Sequence, residues 1–84
     1  MTDSPDNWSV QVDDDGRTIE VNSASTEELR LAWNYQSSVA DRLRLKAGKH
    51  EDRRARAALI ETAQRHRRLA GVVYEEIRAR GESI

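Results

Sequence analysis

The side chains best equipped for strong contacts lie in "RRARAALIETAQRHRRLAGVVYEEIRAR", residues 53 to 80, where eight arginines fall within twenty-eight residues. At about 100° per residue on an α-helix, Arg53, Arg56, Arg67 and Arg78 fall within roughly 60° of one another. Ile60 and Tyr74 share that arc, and no acid of the segment does. A guanidinium is a planar fork of donors and a tyrosine ring is a large, stiff apolar surface, so both are enriched where proteins meet. The same row has the charge to follow a phosphate backbone. Arg54, Arg65 and Arg68 are mixed with Glu61, Glu75 and Glu76 on the other flank, the pattern of a solvated helix face. Arg53, Arg56, Ile60, Arg67, Tyr74 and Arg78 are therefore the candidate partner-binding residues.

A protein is the expected partner and a nucleic acid the second choice. The whole chain has a formal charge of −1. Its helices are too long, and their connection is wrong, for a helix-turn-helix. An acidic hairpin tip would also repel phosphate.

Other residues that could do chemistry form no constellation. Cysteine is absent, which removes disulfides, thiolate zinc sites and thiol catalysis. His66 falls on the inner face of its helix, where a lone histidine is a hydrogen-bonded core residue more often than a base, and Gln36 is a candidate partner. His50 sits between the helices. "DDDG" at residues 13 to 16 resembles the start of a calcium loop, but Arg17 follows the glycine and Ala24 stands where the twelfth-position carboxylate belongs. Turn chemistry explains the run better. No Ser-His-Asp grouping or glycine-rich phosphate loop is present. The expectation is a non-enzyme with no cofactor and no metal.

The elements that must position the arginine row can be read from periodicity. Trp8, Val10 and Val12 alternate with polar residues, as do Ile19 and Val21, on either side of Asp15-Gly16. This is the period of half-buried strands around a two-residue type I′ turn, which would place Val12 opposite Ile19 and Val10 opposite Val21. Ser25 and Glu28 have the spacing of a capping box. Leu29, Trp33, Gln36, Ala40, Leu43 and Ala47 then follow at helical intervals, with Gly48 as a stop. Ala55, Leu59, Thr62, Ala63, His66, Leu69, Ala70, Val73 and Ile77 form the inner face of a second helix that ends at Gly81. The fold class predicted is α+β, an N-terminal β-hairpin followed by a long antiparallel αα-hairpin. Residues 1–7 read as a flexible acidic tail and 8–84 as one domain, with the β-hairpin over 8–22, helix 1 over 25–47 and helix 2 over 51–80.

Length and composition set the remaining expectations. Eighty-four residues make at most one domain. Only 37% are apolar, none is Phe and many are Ala, so little area is available to bury. Leu31, Tyr35 and Leu45 form a second, thinner apolar line on helix 1, interrupted by Ser38 and Arg42. A thin core and a second apolar line together predict a homodimer. Residues 1–28 carry a net charge of −7 and residues 29–84 a net of +6, so the halves either fold together or serve different partners. The acidic start lacks the order of a secretory signal and no apolar run reaches the ~20 residues of a membrane span, which makes a cytoplasmic setting the expectation. The excess of Arg over Lys suggests a GC-rich bacterial or phage genome.

Overall fold

A computed structural model of the chain describes residues 8–83. The expected tail, residues 1–7, lies outside the described residues. Strands β1 (Ser9–Gln11) and β2 (Thr18–Glu20) form an antiparallel hairpin, and helices α1 (Thr26–Lys49) and α2 (Arg53–Ala79) pack against each other behind it. This is the α+β arrangement that the periodicity predicts.

The hairpin differs from expectation in its register. Val10 pairs with Ile19, Ser9 with Glu20 and Gln11 with Thr18. Val12 N–H then donates to the Arg17 carbonyl at 2.8 Å, so the loop is the four residues 13–16 rather than Asp15-Gly16 alone. The cause is local. One oxygen of the Asp13 carboxylate accepts from the backbone N–H groups of Asp15 (3.0 Å) and Arg17 (3.1 Å). A type I′ turn needs positive φ at both central residues. Here Gly16 has φ +91°, and no non-glycine residue among those described has positive φ. The pairing slips by two residues, and an even slip keeps each side chain on its original face. Val10 and Val21 are therefore still buried together.

Helix α1 starts with the capping box read from the sequence. Ser25 Oγ accepts from Glu28 N–H at 3.1 Å, and Glu28 accepts from Ser25 N–H at 2.9 Å. The helix does not stop at Gly48. It runs on to Lys49 with His50 as its C-cap, because Gly48 does not adopt the left-handed conformation that would end it. Asp52 caps α2 through Arg54 N–H. At the other end Gly81 (φ +80°) donates to the Arg78 carbonyl and Glu82 N–H to that of Ile77, the paired bonds of a Schellman motif.

The main core lies where the hairpin covers the start of α1 and the end of α2. Val10, Val21, Ala24, Leu29, Ala32, Val73 and Ile77 form one buried cluster, with Val12, Ile19, Trp33, Leu69 and Val72 packed against it. A polar chain crosses the same junction. Fully buried Gln36 donates from Nε2 to the Gln11 carbonyl (2.9 Å), and its Oε1 lies 2.6 Å from His66 Nδ1. An amide oxygen only accepts, so His66 carries its proton on Nδ1. One side chain thus ties the hairpin to both helices. Burial pushes the His66 pKa below its usual value, and the Arg65 charge pushes it the same way.

Arg80 fastens the outer edge of this junction. It donates from Nη1 to the Ala24 carbonyl (2.8 Å) and from Nη2 to the Val21 carbonyl (3.2 Å), while Nε meets Glu76 at 3.0 Å. Among the described residues, no helix is long and apolar enough to cross a membrane.

Candidate functional site

Helix α2 holds its inner face against α1 with Ala63, Ala70, Val73 and Ile77, all buried. The arginine row follows from the helical repeat as the flank next to that face. Arg53, Arg56, Ile60, Arg67, Tyr74 and Arg78 are all exposed. From Arg53 to Arg78 the row spans about 37 Å, at 1.5 Å per residue. Its two large non-basic members lie outside the buried cluster, Ile60 at 40% exposure and Tyr74 at 38%.

The arginines are not equivalent. Arg56 turns toward the interhelical connection, where Nε and Nη2 donate to the His50 carbonyl at 3.2 and 2.7 Å. That carbonyl is at the C-cap of α1, so a cation there satisfies an end group and opposes the negative end of the helix dipole. Arg67 Nη2 lies 3.3 Å from Asp41 of α1. The row lacks acids along α2 but meets one from the neighbouring helix. Both side chains are more than half exposed, so this pair is worth little in water, about 0–1 kcal/mol. The Arg78 guanidinium carbon is 6.0 Å from the centre of the Tyr74 ring, at the outer limit of a cation–π contact.

The row therefore divides into two patches. At mid-helix, Ile60 and Arg67 join Ala63, Gln64 and Arg44 around a groove of about 250 Å³ between the helices. The Tyr74–Arg78 pair begins about 10 Å further along α2 from Arg67. Arg44 and Asp41 were not candidates from sequence. They reach this flank through the offset at which the two helices pair, and a helical repeat carries no information about that offset.

A second surface lies on the other side of the helical layer. Tyr35 Oη donates to the Asp14 carboxylate at 3.0 Å and receives Gln11 Nε2 at 3.3 Å, which locks the hairpin loop onto α1. Partial desolvation raises the Tyr35 pKa, and the hydrogen bond and charge of Asp14 raise it further. Tyr35 is thus committed to the hairpin, which leaves Leu31 and Leu45 of the thin apolar line exposed at 53% and 68%.

Among the described residues no three His, Cys, Asp or Glu side chains converge as a metal site would require. The α2 row offers exposed cations with Tyr74 and Ile60 among them, a set suited to non-covalent contact. Comparisons with protein-family models, with curated proteins and with solved structures find no match to this chain.

Proposed function

We propose that this chain is a small non-enzymatic interaction module, a regulator, inhibitor or assembly factor of a bacterium or phage, acting in the cytoplasm. It binds a protein partner through the α2 flank of Arg53, Arg56, Ile60, Arg67, Tyr74 and Arg78, and it self-associates as a homodimer. One observation carries the reading. Ile60 and Tyr74 are held out of the core on a flank whose other members are arginines, although the chain has few large apolar residues to bury. Exposed apolar and aromatic side chains set among arginines are what an interface anchor requires. Arg53, Arg67 and Arg78 are the cations able to reach a partner, with Arg56 fixing the turn behind them.

The test is the double substitution Arg67→Ala with Tyr74→Ala. Arg67 is exposed and Tyr74 is partly so and outside the buried cluster, so the double variant should stay folded, with a stability loss of no more than about 1–2 kcal/mol. Partners that co-purify with the parent from the native host should be lost, with affinity falling about thirtyfold or more. Unchanged capture would identify the row as a solvated face. A nucleic acid remains the second reading, favoured by the absence of acids along this flank of α2. It would show itself as a steep linear loss of log affinity with log salt, whereas a protein interface around Tyr74 gives a shallow dependence.

A further inference from the structure

The outer side of α1, directly opposite its buried face of Leu29, Ala32, Gln36, Ala40 and Ala47, carries an ordered stripe. It reads Glu27, Leu31, Asn34, Ser38, Arg42, Leu45 and Lys49, and every one of these side chains is exposed. Leu31, Ser38 and Leu45 are each seven residues apart. Around Ser38 the stripe is complementary to its own reverse. Leu31 and Leu45 lie seven residues to either side, Asn34 and Arg42 four, and Glu27 and Lys49 eleven.

We infer that α1 is the homodimer interface, two copies packing antiparallel about a two-fold axis at Ser38. The inference rests on the reading of this chain as self-associating and supplies the surface for it. An isologous interface requires that if residue i meets j, then j meets i. Here Leu31 meets Leu45 of the second copy, Glu27 meets Lys49, and Asn34 offers its amide to Arg42. Ser38, small and on the axis, lets the helices approach.

Charge fixes the direction. A parallel pair would set Glu27 against Glu27 and Lys49 against Lys49, whereas the antiparallel pair matches opposite charges and opposes the helix dipoles. The exact seven-residue spacing drifts about 20° per heptad on a straight helix, which suits the shallow left-handed crossing of coiled-coil packing. The arginine flank of α2 is not used, so the dimer presents it twice. A partner with two matching sites would be held by both copies at once.

The full chain tests this by sedimentation from about 1 µM to about 1 mM. The mass should rise with concentration from 9.6 kDa to twice that value. Leu31→Asp and Leu45→Asp should each hold the chain at 9.6 kDa, with the helical circular dichroism of the parent. Glu27→Lys and Lys49→Glu should each weaken the dimer tenfold or more, and the two changes combined in one chain should restore it. Ser38→Cys should give a covalent dimer under mild oxidation, whereas Leu31→Cys alone should not. A monomer at every concentration, a dimer indifferent to the leucine changes, or charge changes that fail to compensate would each overturn the assignment. Arg67→Ala with Tyr74→Ala should leave dimerisation untouched, so failure of the partner-binding reading and failure of this one are separate results.

Discussion

The two ends of the helical layer are built from different material. At the hairpin end the buried side chains are Val10, Val21, Leu29, Val73 and Ile77, with Ala24 and Ala32 between them. Toward the interhelical turn they are Ala40, Ala47 and Ala63, and the nearby leucines, Leu43 and Leu59, are only half-buried. A fully buried branched aliphatic side chain contributes about 1.5–3 kcal/mol, and an alanine far less. The hairpin end therefore holds the fold together. The turn end depends on backbone hydrogen bonds, the Asp52 cap and the Arg56 bond to His50. Stability and exposed chemistry are partly separated along the same pair of helices. The groove beside Ile60 and Arg67 is on the alanine-lined half, which buries little area, while Tyr74 lies on the half with the strong core.

The largest effect tests this contrast directly. Leu29→Ala should cost about 2–5 kcal/mol, the range for deleting a buried leucine. A chain of this length holds in total about 4–13 kcal/mol, so the variant should lose a substantial share of its stability. Leu59→Ala, the same deletion at the half-buried end, should cost clearly less than Leu29→Ala in urea denaturation. Equal losses would mean that the two ends contribute alike and that the contrast is wrong.

A smaller effect is expected at the polar junction. Gln36→Leu keeps the volume but leaves the Gln11 carbonyl and His66 Nδ1 without their partner, at a cost of about 1–3 kcal/mol. Amide exchange at Val12 and Val21, whose N–H groups bond across the hairpin, should accelerate more than exchange at Arg56 near the turn. Uniform acceleration would show that Gln36 supports the whole fold rather than the hairpin's attachment.

The smallest effect is with pH. His66 has a lowered pKa in the folded chain, so the unfolded chain binds the proton more readily. Its share of stability is fully present above about pH 6.5, the unfolded value, and is lost as pH falls toward the lowered folded value. Urea midpoints between pH 8 and pH 5 should fall for the parent. The fall should be shallower in His66→Gln, which can still donate to Gln36. An identical profile in that variant would assign the dependence to other groups.

The order of elements was legible because each has its own local rule. Alternation marks Val10, Val12, Ile19 and Val21, the Ser25–Glu28 spacing marks a helix start, and Gly81 marks a stop. What failed was also local, but depends on one side chain. The Asp13 carboxylate holds two backbone N–H groups and extends the loop by two residues on its N-terminal side, which no strand periodicity encodes. Arg56, Arg67 and Arg80 look alike in sequence. One caps a helix, one meets Asp41 and one binds the carbonyls of Val21 and Ala24, and these differences follow from tertiary placement. The candidate row was legible as an exposed flank. Its division into two patches was not, because Arg44 and Asp41 come from the other helix.

The attachment of the hairpin has a consequence for the order in which the chain matures during synthesis. Val10 and Val21 leave the ribosome before α2, yet they are covered by Val73 and Ile77, and the Ala24 carbonyl waits for Arg80, 56 residues later. Contacts this distant in sequence close slowly, because the intervening chain must first lose its freedom. The helices can pair from the turn outward as α2 lengthens, since those contacts are close in sequence. For most of the synthesis of α2 the hairpin thus has an unburied apolar face, and an isolated two-stranded hairpin is marginal in water. The net charge of −7 over residues 1–28 would oppose association between copies of that segment while its apolar face is uncovered.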